Sequence, residues 1–314
     1  MMANSETVLA SASEVYVKTI IGHAMEDQDI VMLDADLMRS HNTASFFEKY
    51  PERFFNVGIA EQNMMSIAAG LALSGKKVYV SSFAAFATMR ACEQVRTDIC
   101  YHNADVCIVA THAGLTCSAG ATHAAQEDMA IARLMPNMTV IAPGDPRQVA
   151  KIIDAVLLKR GPHYIRIGRG TEPVVYHEDY PYEIGKAITT NEGSDMTIIA
   201  CGAMVYNALE AARAMKEEGV SVRVIDMHTI KPLDAEVVAK AVKETGIIVT
   251  VEDHNTLGGL GSAVAEVIAD NSLNCRFKRM GIPNVFVSNG ATLGLYAKYG
   301  IDSAGILKTA RNMI

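Results

Sequence analysis

The chain alternates, twice over, between short apolar runs rich in β-branched residues and longer segments whose apolar residues recur at helical spacing. Such alternation is what a mostly parallel sheet with covering helices requires, and it narrows the fold more than any other feature. In the first series, Ile30-Val31-Met32-Leu33 predicts a strand within 29–34, and Met64, Ile67, Ala68 and Leu71 predict a helix over 60–74. Strands are expected at 77–81, 106–110, 139–142 and 164–167, with a helix over 84–100. Another helix begins at Pro146, where proline suits the first turn, and runs to 159. Residues 170–192 break the pattern: Thr171-Glu172-Pro173, Pro181 and scattered acidic and tyrosyl positions read as an extended interdomain linker. The second series predicts strands at 196–200, 221–226 and 247–252 and helices at 203–218, 233–243 and 261–270. The expectation is an α/β protein of two domains with mostly parallel sheets, 1–170 and 193–314, joined by a linker over 171–192. Ligands of such sheets bind beyond the carboxyl ends of strands, so the chemistry belongs to the loops that follow strands.

Composition narrows the functional classes. Half of the 314 residues are hydrophobic, enough for sizeable cores, and charged residues are 20% with no long like-charge run. The net charge of −7 comes without a basic stripe, which argues against a nucleic-acid partner but leaves room for a local basic pocket and a small anionic substrate. Six cysteines are scattered without a Cys-x-x-Cys and read as free thiols in a reducing compartment. The first twelve residues lack the basic flank and apolar core of an export signal, and no run of about 18 apolar residues suggests a membrane span. A cytoplasmic protein is expected. Leu257-Gly258-Gly259-Leu260-Gly261 imitates a dinucleotide-binding loop, but Val264 stands at the third glycine position and no acidic residue ends a following strand at the usual distance; a tight turn is expected there.

The strongest chemical candidate is Glu61, in Gly58-Ile59-Ala60-Glu61-Gln62. A lone glutamate at a helix start would ordinarily just favour the helix dipole. Here Phe54-Phe55-Asn56-Val57 precedes it and Met64-Met65 follows, and a carboxyl group in apolar surroundings keeps its proton to higher pH. A protonated carboxyl can donate a hydrogen bond to a ring nitrogen.

Ordered motifs then carry a resemblance. Residues 55–64 (Phe-Asn-Val-Gly-Ile-Ala-Glu-Gln-Asn-Met) closely resemble the pyrimidine-binding segment of transketolases. Similar to the same family are the aromatic run 82–88 (Ser-Phe-Ala-Ala-Phe-Ala-Thr), the segments Thr111-His112-Ala113-Gly114-Leu115 and Gly120-Ala121-Thr122-His123, the proline-rich 136–146, and Val251-Glu252-Asp253-His254 with Gly258-Gly259. The resemblance runs from about residue 10 to the end. It implies a pyrimidine-binding domain followed by a transketolase C-terminal domain. It also implies that Glu61 contacts the aminopyrimidine of thiamine diphosphate and favours the imino tautomer, which takes the proton from the thiazolium C2; the cofactor supplies the carbanion chemistry and the protein the geometry. By the same resemblance Phe83 and Phe86 pack against the pyrimidine, and a third family aromatic falls near Met89, where the spacing slips by one residue. His112 and His123 face the substrate as catalytic residues. Arg169, at the end of Arg166-Ile167-Gly168-Arg169, and Ser40 hold substrate phosphate; Arg166 either shares that task or covers the surface.

Departures from the family pattern matter as much. No Gly-Asp-Gly motif occurs, so no metal ligand is assigned in this chain. A partner subunit, the N-terminal diphosphate-binding half of a split transketolase, is expected to carry the Mg2+ site in an α2β2 assembly. The family's substrate-reading aspartate has no counterpart in Cys117-Ser118-Ala119-Gly120, and an N-terminal family arginine has none in Ser11-Ala12-Ser13. The expected reaction is transfer of a ketol fragment from a ketose phosphate to an aldehyde, with a branched or modified sugar or a different anionic end, because lost polar partners change discrimination. The competing expectations are a 1-deoxyxylulose-5-phosphate synthase-like enzyme, a 2-oxo acid dehydrogenase β subunit, or a non-catalytic assembly subunit. Thr111-His112-Ala113-Gly114 and Asn63-Met64 favour transketolase over the first two, and the retained Glu61, His112, His123 and Arg169 argue against the third.

Overall fold

The structure, a computed structural model, describes residues 7–116 and 119–314; Cys117 and Ser118, half of the carboxylate-free stretch noted above, lie outside the described residues. The first half of the chain supplies strands β1 (Leu9–Ser11), β2 (Ile30–Asp34), β3 (Phe54–Asn56), β4 (Lys77–Phe83), β5 (Val106–Thr111), β6 (Thr139–Ile141), β7 (His163–Arg166) and β8 (Thr171–Pro173). The second half supplies β9 (Ile188–Asn191), β10 (Met196–Ala200), β11 (Val222–Asp226), β12 (Thr229–Lys231), β13 (Ile247–Asn255) and β14 (Arg276–Ile282). Both are α/β units with mostly parallel sheets, as the alternation predicts. The strands β2, β5 and β10 are buried at every position, the mark of sheets covered on both faces.

The first sheet has seven strands in the order β12-β6-β7-β5-β4-β2-β3, all parallel except β12. The second has five, β14-β13-β10-β11-β9, with β9 the antiparallel edge. The segment read as a linker is stitched in at both ends: β8 pairs with β1, and β9 joins the second sheet. The second half also returns β12 to the edge of the first sheet, where Thr229 opposes Ile141. Nothing in local periodicity foretells that exchange, because a three-residue edge strand is specified by its partner.

Arg166 corrects an expectation. It neither covers the surface nor reaches for phosphate. It is 7% exposed, and its Nε donates to Asp128 Oδ2 at 2.8 Å while Nη2 donates to the Asp253 carbonyl at 2.6 Å. Asp128 starts the helix Asp128–Leu134 and Asp253 lies on β13, so one guanidinium joins the two halves. Asp253 in turn accepts from the Leu115 amide at 3.1 Å and the Tyr296 hydroxyl at 2.9 Å. Gly114 has φ +60°, and a Cβ there would collide with the Asp253 carboxylate, so glycine permits this approach.

The glycine loop after β13 is a tight turn, as expected. The Glu252 carboxylate accepts from the Leu260 and Gly261 amides at 2.7 and 2.8 Å, so the helix N-terminus where a phosphate would sit already holds an anion of the protein's own. Burial nevertheless pushes the Glu252 carboxyl up to about 7 against those amides. Asp226, at the end of β11, behaves similarly. Its Oδ2 accepts from the Tyr176 hydroxyl at 2.6 Å and Gln148 Nε2 at 2.9 Å, Oδ1 has no protein partner, and burial raises the group to about 7.

Two outcomes follow for stability. Asp128→Ala leaves the Arg166 charge buried without its partner and is expected to cost about 3–5 kcal/mol in a denaturation experiment; a loss under about 1 kcal/mol, ordinary for a surface change, would show that Arg166 does not depend on this partner. Asp226 is protonated in the folded chain to a higher pH than in the unfolded one, so its contribution is full below about pH 4 and is lost as pH rises toward 7. Asp226→Asn keeps both acceptor contacts without the titration. Its melting temperature should therefore decline less than the parent's between pH 5 and pH 8, and parallel profiles would contradict the burial effect.

Candidate active site

The order of the first sheet reverses between β2 and β4: the chain steps outward from β2 to β3 on one side and through β4 and β5 on the other. A crevice opens at such a reversal, beyond the carboxyl ends of the strands. Every candidate residue stands on that edge. Ser40 follows β2, Glu61 follows β3, Phe83 ends β4 with Phe86 just beyond it, His112 follows β5 with His123 further along the same loop, and Arg169 follows β7.

Phe83 is the hub. Its ring stacks on His112 with centroids 3.9 Å apart, lies 5.6 Å from Phe86 in a stacked arrangement, and is 6.1 Å from His123; Phe86 meets His123 edge-on at 5.3 Å. His112 is buried and adopts φ +56°, a left-handed conformation uncommon outside glycine. Its Nδ1 is 2.8 Å from the Thr111 hydroxyl. Burial lowers the His112 pKa to about 3, and the neighbouring His41, Arg169 and His123 act in the same direction. The imidazole is therefore neutral at physiological pH. Ser40 and Arg169 are exposed, and neither side chain has a hydrogen-bond partner among the described residues.

Glu61 is 1% exposed at the first position of the helix Glu61–Leu73, backed by the fully buried Met64 and Met65. Gly58, at φ +74°, turns the chain from β3 into that helix. The surroundings are not wholly apolar, however. Arg90 Nη1 lies 3.0 and 2.8 Å from the two Glu61 oxygens, and the Arg90 guanidinium carbon sits 4.2 Å from the centre of the Phe86 ring. Phe86 and Arg90 bound a π-helical turn, Phe86–Arg90, closed by the Ala91 amide on the Phe86 carbonyl at 3.3 Å. A π turn accommodates one residue more than an α turn. Met89 itself is 43% exposed and belongs to none of the aromatic contacts.

Sequence reasoning missed Arg90, and it missed a buried network behind Phe83. Asp34, the last residue of β2, accepts from His41 Nδ1 at 2.8 Å, from the Thr43 hydroxyl at 3.0 Å and from the Leu37 amide at 2.6 Å. The His41 ring presents its edge to Phe83 at 5.6 Å, and its Nε2 has no protein partner. An aspartate closing an otherwise apolar strand was the available signal. Among the described residues, no group of three or more His, Cys, Asp or Glu side chains is placed to hold a metal ion, and no helix is long and apolar enough to cross a membrane.

Two family models cover most of the chain: the transketolase pyrimidine binding domain matches residues 10–173 and the transketolase C-terminal domain residues 185–306. The chain is 39% identical over 315 residues to one of the subunits of the apulose-4-phosphate transketolase of Phocaeicola vulgatus, spanning 100% of this chain and 99% of that protein. It is 38% identical to the 6-deoxy-6-sulfo-D-fructose transketolase subunit SqwH of a Clostridium species, over 96% of this chain and 93% of the other. A solved split-gene transketolase, described as an inactive β4 tetramer, superposes with a TM-score of 0.87 at 41% identity, covering 96% of this chain and 97% of its own.

The environment of His112 makes a direct prediction. Its ring resonances should not titrate between pH 5 and 8 in an NMR series assigned by comparison with His112→Gln. A midpoint near the ordinary 6.5 would contradict the buried, cation-flanked setting.

Proposed function

The chain belongs to the transketolase family, and from that membership we propose that it is the pyrimidine-binding half of a two-chain, thiamine diphosphate-dependent transketolase. One observation carries the reading. A buried carboxylate faces an aromatic ring, and a planar nitrogen donor already fits between them, bonded to Glu61 and lying over Phe86. An aminopyrimidine ring asks for the same two contacts. When bound, the cofactor supplies the carbon nucleophile that attacks the ketose carbonyl and carries the ketol fragment to the aldehyde.

The chain's own residues take the remaining tasks in this proposal. Glu61 holds a proton against a ring nitrogen. Phe83 and Phe86 wall the crevice and exclude water from one side. His112, neutral and fixed through Thr111, offers a nitrogen to substrate hydroxyls, with His123 beside it. Arg169 and Ser40, both exposed, are available to an anionic substrate end. The domain limits 1–170 and 193–314, with 171–192 between, belong to the same proposal.

Partner and substrate are read from the relatives. Proteins of nearly the same length are named as transketolase subunits or as a split-gene transketolase, which supports an N-terminal diphosphate-binding partner carrying the Mg2+ ligands in an α2β2 assembly. Relatives named for apulose 4-phosphate and 6-deoxy-6-sulfo-D-fructose support a modified sugar or an altered anionic end. The structure adds that Ser11 and Ser13 are buried, with Ser11 capping the following helix and Ser13 accepting from Asn42, so no cation stands there. The loop at Ala119-Gly120 carries no carboxylate, and the Asn289 carboxamide presses against Gly120, where any Cβ would collide with it. Cytoplasmic operation is part of the proposal; the five described cysteines are free thiols, which suits a reducing compartment.

The test is reconstitution with the partner chain and assay of ketol transfer across ordinary and modified ketose phosphates. Glu61→Gln is expected to lower kcat by on the order of a hundredfold or more, the usual scale for a positioned proton-transfer group. Arg169→Ala should raise KM for the phosphorylated donor roughly tenfold with a smaller effect on kcat, the pattern of a lost charge-assisted contact. Unchanged turnover in Glu61→Gln would sink the catalytic reading, and decarboxylation of pyruvate without ketol transfer would move the chain to the synthase side.

A further inference from the structure

We propose that Arg90 is a built-in competitor for the aminopyrimidine place: its guanidinium fills the cleft between Glu61 and Phe86, and the cofactor ring enters only when Arg90 swings out. This rests on the pyrimidine-site reading above and goes beyond it, because it assigns the free chain a closed state and names the residue that closes it.

The geometry is specific. Glu61 is 1% exposed, and among the described residues its carboxylate oxygens accept hydrogen bonds only from Arg90 Nη1, which straddles both. The same guanidinium lies over Phe86 at 4.2 Å, within the range of cation–π contact. A flat, nitrogen-edged group thus rests on the aromatic wall and is bonded to the buried carboxylate. Those are the contacts a bound aminopyrimidine would make, so the two occupants exclude each other. Arg90 also fixes the role Glu61 can play. A guanidinium has donors and no acceptor, so while it is in place Glu61 can only accept. The donation to a ring nitrogen proposed for Glu61 is unavailable until Arg90 leaves.

The way out is open. The Arg90 side chain is 45% exposed and makes no further hydrogen bond or ion pair among the described residues. Its outward swing therefore breaks one ion pair and one ring contact, and no packed core. The π turn from Phe86 to Arg90 sets the two residues on the same cleft. A site competent only in the fraction of molecules with Arg90 out has an apparent affinity reduced by that fraction. Arg90 therefore weakens cofactor binding while it protects a buried carboxylate that would otherwise stand unpaired.

The experiment is calorimetric binding of thiamine diphosphate with Mg2+ to the reconstituted two-chain assembly, comparing the parent with Arg90→Ala and Arg90→Lys. Arg90→Ala is expected to bind on the order of tenfold more tightly, the effect of removing an occluding state populated about 90% of the time. Arg90→Lys should fall between, since lysine pairs with Glu61 but lacks the planar stack. A second reading is the thermal midpoint. Without cofactor Arg90→Ala should melt below the parent, and cofactor should raise its midpoint by more than it raises the parent's. Arg90→Lys keeps the charge beside Glu61, so it gives the binding comparison if the alanine variant folds poorly. Unchanged or weaker binding by Arg90→Ala, or by Arg90→Lys in that case, overturns the competitor while leaving the pyrimidine site standing. If the parent and both variants fail to bind thiamine diphosphate, the site reading falls and this inference with it.

Discussion

The buried Arg166 guanidinium, paired with Asp128, ties the sheet that carries the candidate site to the second sheet. Arg166 comes from the end of β7, Asp128 from the first turn of the helix after the long β5 loop, and the same guanidinium reaches the Asp253 carbonyl on β13. The Tyr164 hydroxyl adds a donor to Asp128 at 2.8 Å. That one node holds the first sheet, the far end of the loop that carries His112 and His123, and the second sheet in a single arrangement. A buried pair of this kind is weak as a source of stability, because desolvation offsets the Coulomb gain. Its effect is positional: a different docking of the halves would take from the buried guanidinium its hydrogen bond to the Asp253 carbonyl.

The same use of charge explains how an acidic protein can keep an arginine on the edge that faces the crevice. Several of its buried carboxylates are spent on backbone amides. Glu252 anchors the Leu260 and Gly261 amides, Asp253 the Leu115 amide, and Asp145 the amides of Gln148, Val175 and Tyr176. These groups sit at strand ends or loop entries and face inward. Arg169, His123 and His112 come from neighbouring loops and face the crevice without a carboxylate among their hydrogen-bond partners. Net charge and site charge are thus set by different layers. The −7 of the whole chain says little about the sign of the pocket.

What could be read in advance follows the range of the interaction. Strands such as Met196–Ala200 and helices such as Glu61–Leu73 were legible because apolar periodicity is local. So was the placement of the candidate residues on one edge, since the reversal rule sends the loops after successive strands to one place. The pairing of β12 with β6, the burial of Arg166 and the Asp34–His41 dyad were not legible, because each depends on a partner distant in the chain or across a loop. Arg90 was hidden differently. The segment 84–100 reads as ordinary helix at a period of 3.6, in which Phe86 and Arg90 as an i, i+4 pair already share a face, but the contact of the guanidinium with Glu61 crosses to another helix. Arg90 stands 29 residues after Glu61, so their pairing leaves no trace in the local hydrophobic pattern.

The surroundings of Glu61 bear on why such a site would be divided between chains. Phe55 and Ile59, on the segment leading into the Glu61 helix, are 39% and 76% exposed, and Met89, beside Arg90, is 43% exposed. Single exposed apolar side chains mean little. These three come from the two segments that hold the Glu61–Arg90 pair, one on the carboxylate side and one on the guanidinium side. Under the two-chain reading, a partner that covered them would press on the outer side of the same cleft from which Arg90 has to leave. Burial of Phe55, Ile59 and Met89 would then favour docking, while covering Arg90 would strip water from its guanidinium, a desolvation cost that swinging out would relieve. An anionic diphosphate arriving with the partner's metal site would meet a displaced arginine rather than an empty edge. Assembly and cofactor loading would in that case draw on one local rearrangement, and the lone chain would keep its buried carboxylate paired until both arrive.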